Sequence, residues 1–131
     1  MLCRWRRLWA LRALWVGLLY DASAMDAAWD MVKDWTAEEH ALLRREVPRR
    51  ALHAEIRGRT VRELAAETLE IAHGGLRARD RLDGAGNNET GFLDTLDEIV
   101  ERGSCPAERK LDLFNGAGRG SVNPVFKDYA Y

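Results

Sequence analysis

Apolar residues recur at helical spacing along most of the chain, and polar punctuation divides them into segments. Asp21 is placed to cap a helix in which Met25, Ala28, Trp29 and Val32 fall on one face. Thr36-Ala37-Glu38-Glu39 has the form of a capping box, so a second helix opens there. Pro48 disfavours helix in the residue before it, which predicts an end near Val47. Residues 49–59 have weak periodicity and read as a connector.

Thr60-Val61-Arg62-Glu63 is another capping box. The helix it opens carries the apolar stripe Val61, Leu64, Ala65, Thr68, Ile71, Ala72 and Leu76. Arg77, Arg79 and Arg81 cluster towards its end, where cations suit the helix dipole. Gly74-Gly75 weakens its late turns. Asp83 to Asn88 reads as a turn or mobile loop. A further helical stretch begins at Thr90, with Phe92, Leu93, Leu96, Ile99 and Val100 apolar and Gly103 suited to end it. Cys105 and Pro106 open a short helix that Asn115-Gly116 stops. The tail, with Pro124, reads as extended or irregular. The predicted organisation is an apolar, tryptophan-rich segment over 1–20, a helical body over 21–114 and an irregular tail over 115–131.

The first 24 residues imitate a secretory signal, with Arg4, Arg6, Arg7 and Arg12 ahead of or beside the short apolar run Ala13 to Tyr20, then Ala22-Ser23-Ala24. The run is short for a signal and crowded by tryptophan, so Leu11 to Tyr20 reads instead as a buried segment of a larger fold. Over so few residues periodicity does not separate strand from helix. All five tryptophans lie within the first 35 residues. Such large apolar groups either pack on the following helices or against something outside the chain.

At 131 residues, 47% hydrophobic and 31% charged, the chain has a globular balance. Its 20 basic and 21 acidic residues give a net charge of -1, which argues against an electrostatic nucleic-acid binder. Cys3 and Cys105 are too few for a disulfide scaffold, and no apolar run reaches membrane-spanning length. His40, His53 and His73 show no zinc-type spacing, and His73 reads as a helix C-terminal residue. Gly116 to Gly120 follows a helix and so reads as a turn, not a phosphate loop. Glu38, Glu39, Glu46, Glu63, Glu67 and Glu70 single out no catalytic pair. The residues alone describe a helical body without a self-contained active site.

Several stretches, in order, resemble the C-terminal part of glutamate–cysteine ligases of the plant and proteobacterial type. They are Trp5-Arg6-Arg7-Leu8, Ala13 to Asp21, Asp34-Trp35-Thr36, Arg45-Glu46-Val47-Pro48 and Leu69 to Arg77. Gly91-Phe92-Leu93, Pro106-Ala107-Glu108, Ser121 to Phe126 and Tyr131 complete the series. The resemblance implies a mainly helical C-terminal portion of a larger α+β, glutamine-synthetase-like fold. It implies ATP and Mg2+ as cofactors of the whole enzyme, none bound by this portion alone, and glutamate, cysteine and ATP as its substrates. The implied reaction joins the glutamate γ-carboxylate to the cysteine amine through γ-glutamyl phosphate, in the cytoplasm. It also implies that the catalytic sheet and magnesium-binding carboxylates lie upstream, beyond a Glu-Met-Arg stretch that Met1 to Arg4 does not match. No catalytic or metal residue carries over. Trp5, Arg6 and Arg7 are the nearest to that motif and are expected to be active-site-proximal.

Four positions depart from the family pattern. Trp9 replaces a common cysteine, Arg12 a proline, Cys105 a capping threonine or serine, and Gly118 a tryptophan. The alternative reading is a non-catalytic helical module that binds a complete ligase or another partner through its tryptophan-rich end.

Overall fold

The computed structural model describes residues 2–116 and 119–129, with side chains described for 8–116 and 119–127. The described chain is mainly helical: α1 (Leu2–Leu19), α2 (Ala22–Val32), α3 (Ala37–Arg50), α4 (Val61–Arg79), α5 (Asp94–Arg102), α6 (Pro106–Asn115) and α7 (Asn123–Tyr129). Two short strands, β1 (Glu55–Ile56) and β2 (Arg59–Thr60), pair antiparallel ahead of α4.

The punctuation read from the sequence sets the helix starts. The Asp21 carboxylate accepts the Ala24 N–H at 2.9 Å. Thr36 and Thr60 each complete a capping box with the glutamate three residues on. The Cys105 N–H donates to the Glu108 carboxylate at 2.7 Å, with Pro106 in the first turn. Gly103, at φ 66°, ends α5 by donating to the Ile99 and Val100 carbonyls.

Other readings are sharpened or corrected. Residues 11–19 are helical, and within this chain alone one side of α1 is buried: Ala10, Ala13, Gly17 and Leu18 face inward while Leu11, Trp15 and Leu19 are exposed. Arg12 is exposed in this chain too. On α2 the inner face is Ala24 and Ala28, and Met25 and Trp29 point outward. Helix α3 runs through Pro48 to Arg50. Proline removes one helical donor there, but Arg44, whose carbonyl would have accepted it, is exposed to water. The connector over 49–59 contains the hairpin, turned by Arg57 and Gly58 at φ 51° and 75°. The tail carries α7, because Pro124 sits in its first turn, where no amide donor is needed.

The core gathers Ala13 and Leu18 of α1, Leu69, Ala72 and Leu76 of α4, and Leu93. Leu69 is a buried member that the α4 stripe did not include. Gly75 does not merely weaken α4, for α1 crosses there and leaves no room for a side chain. Arg57, in the hairpin turn, donates to the Glu39 carboxylate at 2.6 and 2.8 Å and to the Asp34 carbonyl at 2.5 Å. It thereby ties the hairpin to the start of α3.

Candidate functional site

Trp9 projects from α1 towards the loop that joins α4 to α5. That loop is built by its own polar groups. Asp80 leaves α4 in a left-handed conformation at φ 48°. The Asp83 carboxylate then accepts the Ala85 and Asn87 N–H groups at 2.8 and 2.9 Å. Those amides, Asn87 first, hold the Asp83 carboxyl below its ordinary pKa. Leu82 bridges to Asn88, whose side chain accepts the Thr90 N–H at 3.0 Å and starts the turn Glu89–Phe92.

Between loop and helix lies a recess of about 440 Å³. Trp9, Leu82 and Phe92 give it an apolar lining, and Arg81, Asn87 and Asn88 supply polar groups. The Trp9 and Phe92 ring centroids are 6.4 Å apart, and the Arg12 guanidinium lies 5.1 Å from the Trp9 ring centroid. Glu89 pairs with Arg79 at 3.0 Å, and Arg79 also lies over the Tyr20 ring. Asp83 is committed to its loop amides, and Glu89 is ion-paired with Arg79 although its Oε2 accepts no hydrogen bond. The recess suits binding of a flat or apolar group.

A second, more open groove of about 740 Å³ lies between α4 and α5. His73 Nε2 stands 2.8 Å from Asp97 Oδ2 across it, so His73 joins two helices instead of serving as a helix C-terminal residue. The His40 ring meets Trp35 at a tilt of 57°, with centroids 5.6 Å apart, and His53 lies 3.8 Å from Glu108. The three histidines are thus dispersed. Among the described residues no group of three histidine, cysteine or acidic side chains is arranged to hold a metal.

Trp5, Arg6 and Arg7 occupy the N-terminal turns of α1, ahead of Trp9, and their side chains lie outside the described residues, as does that of Cys3. Gly118 and Tyr131 also lie outside them. Of Gly116 to Gly120, the described part is a turn closed by the Gly120 N–H on the Phe114 carbonyl at 2.9 Å. The recess was not anticipated from sequence. Its available signal was Leu82, an apolar residue beside an Asp-Gly turn, followed ten residues later by Phe92.

Comparison with known proteins supplies what the side chains alone do not. Residues 2–128 match the model of glutamate-cysteine ligase family 2. The chain belongs to this family. It is 44% identical over 127 residues to glutamate–cysteine ligase A, chloroplastic, of Oryza sativa subsp. indica, covering 97% of this chain and 25% of that protein. The chloroplastic glutamate–cysteine ligases of Nicotiana tabacum and Arabidopsis thaliana are each 42% identical over 127 residues, covering 97% of this chain and 23% of theirs. This member of the ligase family therefore spans about a quarter of the length of the curated relatives it matches. Among its described residues no helix is long and apolar enough to cross a membrane.

Proposed function

We propose that this chain is the C-terminal helical portion of an ATP-dependent glutamate–cysteine ligase. The observation that carries this reading is the ordered match of 97% of the chain to about a quarter of each relative. The whole enzyme would have the larger α+β, glutamine-synthetase-like fold. It would form γ-glutamylcysteine from glutamate and cysteine at the expense of ATP.

The described residues do not fit a magnesium site. Glu39 is engaged by Arg57 and the Thr36 N–H, Glu63 by the Thr60 N–H, and Asp83 by its loop amides. Magnesium and the reacting phosphoryl group belong, on this reading, to residues outside the chain. What this portion contributes is support for α1, whose first turns carry Trp5, Arg6 and Arg7 as the residues nearest the reaction centre.

The test replaces the matched stretch of the Arabidopsis thaliana ligase with these 131 residues. With ATP, magnesium, glutamate and cysteine, the chimera should release γ-glutamylcysteine and the isolated chain should not. Arg6→Ala and Arg7→Ala should lower turnover in the chimera, whereas Arg49→Ala on α3 should leave it unchanged. A folded chimera without product would overturn the ligase reading. Product from the isolated chain would overturn the view that the chemistry lies outside it.

A further inference from the structure

From Leu8 to Leu19, helix α1 carries apolar residues on both sides, with Arg12 exposed beside the outer ones. Its inner side is made of small or tightly packed groups: Ala10, Ala13, Gly17 and Leu18. Its outer side carries Leu8, Leu11, Trp15 and Leu19, each more than half exposed. These four are spaced by three, four and four residues, so they form one line along the helix. Arg12 and Trp9 flank the line, and the Arg12 guanidinium is drawn over the Trp9 ring.

A helix with water on one side ordinarily turns polar residues towards it, and one that is apolar all round is ordinarily enclosed. Scattered surface leucines need no explanation, but an aligned stripe of large apolar groups marks a contact surface. The same chain aligns with relatives that carry about three quarters of their length outside the matched stretch. That additional polypeptide is the occupant the stripe calls for.

We infer that the outer face of α1, along Leu8, Leu11, Trp15 and Leu19, is the seat of the remaining body of the ligase. The inference rests on the ligase reading and specifies the contact through which that body meets this portion. Helix α1 is then a central helix, clamped by α4 on its small-residue side and by the body on its leucine–tryptophan side. Its first turns, with Arg6 and Arg7, are held in place by both.

Cysteine labelling tests the contact. In a Cys3→Ser, Cys105→Ser background, Leu11→Cys reports the stripe and Arg49→Cys, on exposed α3, serves as control. Maleimide should modify Leu11→Cys readily in the isolated chain and roughly tenfold or more slowly in the Arabidopsis chimera, with Arg49→Cys equal in both. Equal reactivity of Leu11→Cys in an active chimera would overturn the interface and leave the ligase reading standing. Protection in an inactive chimera would support the interface while the ligase reading failed. Two separately melting parts with Leu11→Cys still reactive would overturn the interface. So would protection in the isolated chain that rises with its concentration, which would assign the face to a second copy.

Discussion

Gly17 of α1 and Gly75 of α4 cross so closely that a β-carbon on Gly75 would stand 1.9 Å from the Gly17 carbonyl oxygen. One on Gly17 would stand 2.4 Å from the Ala72 carbonyl oxygen. Both obstacles are backbone, which a side-chain rotation cannot relieve. Gly75→Ala should therefore force the helices apart and cost about 2 kcal/mol or more. Gly74, its neighbour, has open space around its missing β-carbon. Gly74→Ala should gain about 0.5–1 kcal/mol from helix propensity alone. Denaturant unfolding of both variants checks this. A Gly75→Ala protein as stable as the parent would exclude the close crossing.

The tie between α3 and the hairpin predicts a pH dependence. Glu39 has its pKa lowered to about 2 from 4.5, first by the Arg57 guanidinium and then by the Thr36 N–H. A carboxylate whose folded pKa lies below its unfolded one stabilises the fold above the unfolded value. That contribution is lost as the pH falls from about 4.5 to about 2. The pair is exposed to solvent, so the loss should be modest and reduced by salt. Glu39→Gln should flatten the fall in unfolding midpoint across that window, and an undiminished fall would assign it to other groups.

Arg62 reaches from the first turn of α4 to the last turn of α5. Its Nε donates to the Val100 carbonyl at 2.7 Å, and its Nη2 donates to the Glu101 carbonyl. A cation there also suits the negative end of the α5 dipole. Arg62 is exposed, so Arg62→Ala should cost only about 1 kcal/mol. The effect should be local, with hydrogen exchange rising in α5 more than in the middle of α4. Uniform acceleration across both helices would mean that the contact does not act locally.

What the sequence disclosed and what it hid follow from the range of the forces. Asp21, Thr36, Thr60 and Gly103 act on amides or carbonyls within four residues, so their roles were readable as local patterns. The hairpin at Arg57-Gly58 was missed because its strands are two residues long and leave no alternation to count. Pro48 was over-weighted, since its lost hydrogen bond falls on a solvated turn. The inward role of Gly75 and the outward role of Trp15 depend on which helix crosses α1 and where. No spacing within one helix carries that information. The recess at Trp9 was hidden for the same reason, because its walls lie more than seventy residues apart in the chain.

The recess offers a last measurable coupling. Trp9 meets Phe92 with ring centroids 6.4 Å apart, within the distance range over which an aromatic pair contributes beyond the area it buries. Both side chains are about half exposed, which removes much of the ordinary burial energy from either substitution. The direct pair term should therefore stand out in a double-mutant cycle. Trp9→Ala and Phe92→Ala should each destabilise, and the double variant should lose less than their sum by about 0.5–1 kcal/mol. Arg12→Ala should reduce the cost of Trp9→Ala, because the guanidinium over the ring is already gone. Strict additivity of Trp9→Ala and Phe92→Ala would show that the loop does not close on α1 through this pair, leaving Leu82 to hold the recess together.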